Sequence, residues 1–399
     1  MDRRNLRVFH PFARLDRLLA DVPAGPGLGD GGAPVLLSVG EPRDQPPAFV
    51  AEELTAAAEG WSRYPPPRGT PAYLDAAAAW LIRRYGLPTD MIEPGAMMLP
   101  LPGSREGLFF AALATLPSAP EGGRPAVLIP NPFYHVYAGA AIAAGAEPIF
   151  VPATRETGFL PDFAALDPAL LERAKFCYFC SPSNPQGAAA DLEHLKGLIE
   201  LARRHDFVVA FDECYAEIYT DAPPAGALQA AAQLGGSLDR LLAFHSLSKR
   251  SSAPGLRCGF VAGAPDLIEA LDMILRIGGA GVPLPVQAAG TRLWQDEDHV
   301  VATRRRYQEK FAVAERILGN RFGFRRPDGG FFLWLEVGDG EAAAVELWGR
   351  AGLRVLPGAY MGAAGPDGTN PGDPYIRVAL VHDRALTERA LERLSEILS

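Results

Sequence analysis

Between residues 126 and 262 the chain alternates short apolar runs with longer stretches of helical spacing, and this alternation limits the fold more than any other feature. Runs rich in Val, Ile and Phe occupy 126–130, 147–151, 176–180, 207–211, 241–245 and 258–262. Between most of them lie segments such as 192–205, where Leu192, Leu195, Leu198, Ile199 and Ala202 recur at the steps of one helix face. Strands separated by helices have the crossovers that parallel pairing needs. Runs that are apolar throughout, not only at alternate positions, mark strands covered on both faces. The expected fold is therefore α/β, with a mostly parallel sheet and helices on both of its faces. Ligands bind such sheets outside the carboxyl ends of the strands, so chemistry is to be sought in the residues just after each run.

The two ends read differently. At 399 residues the chain exceeds one core of ordinary size. Residues 1–45, rich in Pro and Gly around 23–34, read as an N-terminal arm that also contributes to a small domain. Residues 46–280 read as the large domain, and 281–399 as a linking helix with a small α+β domain. Within 281–399 a single long helix is expected over 285–318, strands over 331–336, 353–356 and 375–380, and helices over 341–351 and 385–398.

Composition narrows the function. With 48% hydrophobic and 21% charged residues, the chain has the make-up of a folded protein. A net charge of −9 and the lack of a basic stripe argue against nucleic acid as a partner. The densest basic run, Arg304, Arg305 and Arg306, has acids on both sides and reads as a solvated helix face. Cys177 and Cys180 have CxxC spacing. They lie in an apolar run with no second pair and no nearby histidine pair, so they read as buried strand thiols, and no metal site is expected. No apolar stretch approaches the ~20 residues of a membrane span. The opening residues carry Arg3, Arg4 and Arg7 without a following apolar run, so no signal peptide is expected and the expected location is the cytoplasm.

Four segments carry chemistry. Ser246-Leu247-Ser248-Lys249, followed by Pro254-Gly255-Leu256-Arg257, places a lysine among hydroxyls and a guanidinium just past a strand. Such a set suits an anionic cofactor, and a lysine made less basic by burial or nearby cations can form an imine. Ser-x-x-Lys also occurs in serine acylases, but their Lys-Thr-Gly and Ser-Asp-Asn partners are absent here; a surface loop is the plainer alternative. The run 207–211 ends in Asp212, with Tyr215 three residues on. A buried Asp there can hold a protonated ring nitrogen, whereas an exposed one would merely cap the next helix. Ser181-Pro182-Ser183-Asn184-Pro185 has the punctuation of a turn, with Asn184 placed to reach a bound ring. Pro102-Gly103-Ser104-Arg105-Glu106-Gly107 opens a helix whose N-terminus favours phosphate, although no Walker lysine follows.

In this order and combination, Ser-Asn-Pro, Asp-x-x-Tyr and Ser-x-Ser-Lys with a downstream Gly-x-Arg, the chain resembles the fold-type I, class I/II aminotransferases that depend on pyridoxal 5′-phosphate. The similarity runs from Leu37-Ser38-Val39-Gly40-Glu41-Pro42 to Tyr375-Ile376-Arg377-Val378. The resemblance implies that Lys249 is the Schiff-base lysine, that Asp212 pairs with the pyridine nitrogen, and that Asn184 and Tyr215 donate to the ring's phenolic oxygen. It assigns the phosphate to Ser104 and Arg105, largely through their backbone, and to Ser246, Ser248 and Arg257. Tyr134 matches the aromatic residue that stacks on the ring. Arg377 matches the grip on the substrate α-carboxylate, and Gly40 the backbone contact beside it. Tyr64 resembles the tyrosine that reaches the phosphate of a partner subunit, which implies a homodimer.

The opening Pro11-Phe12-Ala13-Arg14-Leu15, the Gly-Glu-Pro turn and Ser104-Arg105-Glu106 look like the N-succinyl-diaminopimelate aminotransferases of lysine and cell-wall synthesis. Asn131, His135 and Ser252 depart from that pattern. The implied reaction is ping-pong transamination between glutamate/2-oxoglutarate and small amino and 2-oxo acids, with Lys249 as general base and Asp212 keeping the ring cationic. Elimination or decarboxylation on the same cofactor would use the same residues. A regulator bearing such a domain would need an added DNA-binding module, for which the first 35 residues are too few. Arg43, Arg63, Arg68 and Arg105 are all candidates to meet the far end of the substrate.

Overall fold

The computed structural model describes residues 10–117, 123–365 and 367–399; Arg3, Arg4 and Arg7 lie outside them. Twelve strands follow in chain order: β1 (Val35–Leu36), β2 (Met98–Leu101), β3 (Ala126–Asn131), β4 (Glu147–Pro152), β5 (Ala174–Cys180), β6 (Val208–Asp212), β7 (Leu241–Ser246), β8 (Gly259–Gly263), β9 (Phe332–Glu336), β10 (Leu353–Arg354), β11 (Leu356–Pro357) and β12 (Tyr375–Ala379). Strands β2 to β8 form one seven-stranded sheet in the order β2-β8-β7-β6-β5-β3-β4. Pairing is parallel from β4 through β7, and β8 alone runs against its neighbours β7 and β2.

Side chains of successive strand residues point to opposite faces, and both faces here are buried. Leu128, Cys177, Phe179, Val209, Phe211 and Ala243 join one core. Their chain neighbours Val127, Phe176, Tyr178, Val208, Ala210 and Leu242 join another. That is why the runs read as apolar throughout. Cys177 and Cys180 are buried free thiols, and no group of His, Cys, Asp or Glu among the described residues is arranged to hold a metal. No helix among them is long and apolar enough to cross a membrane.

A third core is built from the chain ends. The antiparallel sheet β11-β12-β9 packs with the helix Asp298–Leu318 through Leu333, Leu335, Ile376, Tyr307 and Phe311. Strand β1 joins β10 in parallel, tying the N-terminal segment to this core. Tyr215 and Ile218, from the loop after β6, are buried in the same core, so that loop is clamped from the far side.

Four expectations need correction. The helix over 285–318 is two helices, Leu284–Gln295 and Asp298–Leu318, because Asp296 is extended and its carboxylate accepts the N–H of His299, starting a new helix. The strand over 353–356 is split between two sheets, with β10 pairing β1 and β11 pairing β12. Strand β2 is an addition to the expected set, since Pro100 argues against a strand; it is tolerated because β2 is an edge strand. Arg304 is not a solvated residue: it donates to the Glu217 carbonyl (2.9 Å) and carboxylate (2.8 Å) and lies over the Tyr219 ring, while Arg305 stays exposed.

Candidate active site

Strands β2, β3, β5, β6 and β7 all point their carboxyl ends to one edge of the sheet. At or just beyond those ends come, respectively, Ser104 and Arg105; Tyr134; Asn184; Asp212 and Tyr215; and Ser246, Ser248 and Lys249. Strand β8 is reversed, so its first residue, Gly259, lies opposite both Ser246 and Leu101. Arg257 therefore reaches the same edge by preceding its strand. Gly40 and Arg377 come from the chain ends, held together where the Ala379 N–H donates to the Leu37 carbonyl at 2.8 Å. All twelve line one cavity of about 510 Å³.

One end of the cavity is an anion cradle. Gly103, at φ +92°, precedes the helix Ser104–Thr115 and offers no capping side chain, so the first N–H groups of that helix are open to an anion. A Cβ at Gly103 would fall 2.4 Å from Nη2 of Arg257; glycine lets the guanidinium lie against the backbone. Arg257 is set by the Pro102 and Pro254 carbonyls, at 2.9 and 3.0 Å, and by the Glu106 carboxylate at 2.8 Å. The Ser246 hydroxyl donates to that of Ser248 at 3.0 Å and accepts the Ser248 N–H. Guanidinium, two hydroxyls and a helix N-terminus fit a phosphate dianion.

In the middle lies Asp212, 4% exposed. Burial pushes its carboxyl up, opposed chiefly by the Tyr137 hydroxyl, which donates to Oδ2 at 2.6 Å. A cationic ring nitrogen would meet here a carboxylate with no ion-pair partner among the described residues. Tyr134 accepts a hydrogen bond from Nε of Arg105 at 2.8 Å. Asn184 Oδ1 accepts from Nη1 of Arg377 at 3.0 Å, which leaves its amide N–H groups for an acceptor such as a phenolic oxygen. The residues present thus fit each polar group of pyridoxal 5′-phosphate.

Toward the other end, Lys249 Nζ donates to the Gly40 carbonyl at 2.6 Å. Burial pushes the ammonium down to about 8, and the nearby Arg377 and Arg105 act in the same direction. Arg377 is 4% exposed. Its Nη2 donates to the Ser38 carbonyl at 2.6 Å, and it lies over the Phe332 ring. Its buried Nε has no hydrogen-bond partner among the described residues, which leaves a donor for a carboxylate.

Tyr64 stands apart: it is 99% exposed and does not line the cavity of its own chain. Of the four arginines considered for the far end of a substrate, Arg105 lines the cavity, whereas Arg68 is turned to Asp272 at 3.0 Å. Sequence reasoning missed Tyr137, because an aromatic residue in a helix as apolar as His135–Ala143 reads as core. It also missed Glu106 as the partner of Arg257. His135 lines the cavity, and burial, His10 and Arg105 push it down to about 4, so it is neutral near pH 7.

The family model for aminotransferases of class I and II matches residues 33–394. The chain is 36% identical over 363 residues to the 4-dedimethylamino-4-oxo-anhydrotetracycline transaminase of Streptomyces rimosus, covering 90% of this chain and 93% of that one. It is 31% identical to the LL-diaminopimelate aminotransferase of Moorella thermoacetica, covering 100% and 98%. A crystal structure of an aminotransferase from Neisseria meningitidis superposes with a TM-score of 0.91 at 40% identity, covering 98% and 97%.

Proposed function

This chain belongs to the class I and II aminotransferases, which depend on pyridoxal 5′-phosphate, and from that premise we propose that it moves an amino group between glutamate/2-oxoglutarate and N-succinyl-2-amino-6-oxopimelate. The observation that carries the general reaction is the meeting of Lys249, Asp212 and Arg377 in one cavity with a phosphate cradle at its end. When bound, the cofactor supplies an aldehyde that takes up the amino group and a pyridinium ring that draws electrons from the substrate α-carbon.

The chain's own residues do the rest. Ser104, Arg105, Ser246, Ser248 and Arg257 hold the phosphate, and Tyr134 covers the ring. Asp212 holds the ring nitrogen, and Tyr215 and Asn184 the phenolic oxygen. Arg377 takes the substrate α-carboxylate beside Gly40, orienting the α-C–H bond. Lys249 would hold the cofactor through its aldehyde. Freed by substrate it would leave as an amine whose basicity burial has lowered to about 8, able to move the α-proton. Tyr64 serves the phosphate of a partner subunit in a homodimer. The proposed division of the chain is an arm at 1–45, a cofactor-binding domain at 46–280 and a small domain at 281–399.

The second substrate rests on Arg105. With its Nε fixed by Tyr134, it is a guanidinium in the cavity that is tied neither to an acidic side chain, as Arg257 is, nor to Asn184, as Arg377 is. It can meet a distal carboxylate such as that of a succinyl group. Likeness to an LL-diaminopimelate aminotransferase favours a second reading in which the unsuccinylated diacid is used. The test is an absorbance spectrum of the reconstituted protein before and after glutamate, followed by each acceptor in turn. The visible band should disappear with glutamate, without release of ammonia or CO₂, and return with the true acceptor. A band that ignores glutamate overturns the donor. Return with the unsuccinylated acceptor alone overturns the first reading of the substrate.

A further inference from the structure

Asp212 is a carboxylate that burial works against, and the strongest support for its charge comes from a residue outside the sequence motifs. Tyr137 is 1% exposed, and its hydroxyl donates to Asp212 Oδ2 at 2.6 Å. The Cys214 N–H adds a longer contact, at 3.3 Å from Oδ1. The Tyr137 ring cannot swing away. Tyr178 stacks on it at 4.5 Å with 11° between planes, and Tyr134 meets it edge-on at 5.7 Å. Tyr178 is itself pinned, since its hydroxyl donates to the Leu108 carbonyl at 2.8 Å. Leu108 lies in the helix Ser104–Thr115 that opens the phosphate cradle. One rigid stack therefore joins the phosphate end of the cavity to the ring-nitrogen end.

We propose that Tyr137 is a positioning residue that fixes the orientation and the negative charge of Asp212, and through it the affinity for the cofactor. A donor fixed on a carboxylate favours its ionised form. The other titratable groups around Asp212 do not replace it. Cys180, Cys214, Tyr134 and Tyr215 are pushed up by burial and stay neutral, as does Tyr137 itself. Glu213 is raised to about 7, and any charge it carries opposes ionisation. Lys249 favours the charge only while it is an ammonium, and it is not one when joined to the cofactor.

This rests on Asp212 as the partner of the ring nitrogen, and two variants keep the questions apart. Affinity of the cofactor-free protein for pyridoxal 5′-phosphate is measured by titration calorimetry, and kcat is measured against pH with glutamate saturating. Tyr137→Phe should weaken cofactor binding roughly tenfold to a hundredfold and move the acid limb of kcat to higher pH, leaving KM for glutamate little changed. Tyr137→His, which restores a donor, should recover part of both. In an Asp212→Asn background Tyr137→Phe should add nothing further. If Asp212→Asn behaves as wild type, the role of Asp212 itself is lost. If Asp212→Asn is impaired but Tyr137→Phe keeps wild-type affinity and acid limb, the role of Tyr137 is overturned alone. Equal weakening in both backgrounds makes it packing and overturns it as well.

Discussion

A lysine ammonium held against a single carbonyl, with two guanidinium groups nearby, is in a poor environment for its charge, and Lys249 responds by moving down to about 8. The same shift acts on stability. In the unfolded chain a lysine stays protonated to about pH 10.4, so between pH 8 and that value the unfolded state binds more protons. The contribution of this residue to the stability of the cofactor-free protein then rises with pH across this window, by at most about 3 kcal/mol. Denaturant titrations between pH 8 and 9.5, below the range of ordinary tyrosines, should show it as a difference in slope between wild type and a variant without the lysine, because the buried thiols, pushed up by burial, act in the opposite direction in both. Lys249→Met should be more stable than wild type at pH 8, with a smaller slope, and should form no visible band with pyridoxal 5′-phosphate. Equal slopes would mean the folded site tolerates the ammonium. The buried Lys310 is also pushed down but is common to both proteins, so the difference isolates Lys249. At this scale much of the site was legible. Lys249, Asp212 and Asn184 stand where a strand has just ended, and polar residues there must be either solvated or in use. Tyr137 was not legible, because its work is done by one oxygen atom and the rest of it is core.

The elements explain how Lys249 is held. The break between the helices Leu284–Gln295 and Asp298–Leu318 lies beneath the two residues that follow it. Arg250, 2% exposed, donates to the Leu293 carbonyl at 2.6 Å and to the Glu297 carboxylate at 3.0 Å, with its guanidinium 5.1 Å from the centre of the Trp294 ring. Next to it, Ser251 Oγ meets Nε2 of His299 at 2.8 Å, and Nδ1 of His299 meets Asp296 at 2.5 Å. Serine, histidine and aspartate in this arrangement suggest a hydrolase, but Ser251 is 1% exposed and no substrate reaches it. The set is a clamp. An unbroken helix over 285–318 could not turn Leu293 and Asp296 toward Arg250 and His299, so the function of the break is visible only once the sheet has brought the two segments together. Local signals, the acids at 296–298, were present in the sequence and were outweighed by helical spacing on either side. Arg250→Met removes the donor from buried carbonyls and should destabilise the protein by roughly 3–5 kcal/mol. It should also slow cofactor uptake with every residue of the cavity unchanged. Thermal melts of the cofactor-free form and the rate of growth of the visible band check the two effects separately. A lower Tm with unaltered uptake would reduce the clamp to a scaffold.

At the scale of the whole molecule, several large apolar side chains stand exposed. Tyr64 is 99% exposed, Ile277 86%, Trp61 57% and Met273 55%. Tyr64 and Ile277 come from neighbouring segments, while Val301, 55% exposed, lies on the helix Asp298–Leu318. A Cβ at Gly281 would stand 2.8 Å from the Pro65 ring, so the segment around Tyr64 packs against the one that follows Ile277. Large apolar side chains gathered on one side of a folded protein mark a contact surface, and a self-complementary one gives a two-fold dimer. None of this was legible from periodicity, since an exposed tyrosine and a buried one look alike in a sequence. Only the resemblance set Tyr64 apart. The assignment can be tested by complementation. Lys249→Ala and Tyr64→Ala are each expected to be nearly inactive, the first for want of the amine and the second for a weakened phosphate contact. In a hybrid dimer, the subunit carrying Tyr64→Ala keeps its own Lys249 and receives Tyr64 from the Lys249→Ala subunit, so one site is whole. Mixing the two inactive proteins under conditions that exchange subunits should therefore restore activity, in proportion to the hybrid measured by native mass spectrometry. If hybrids form and no activity returns, Tyr64 does not cross between subunits. If both variants sediment as monomers and stay inactive, the exposed apolar face is not where the chains meet.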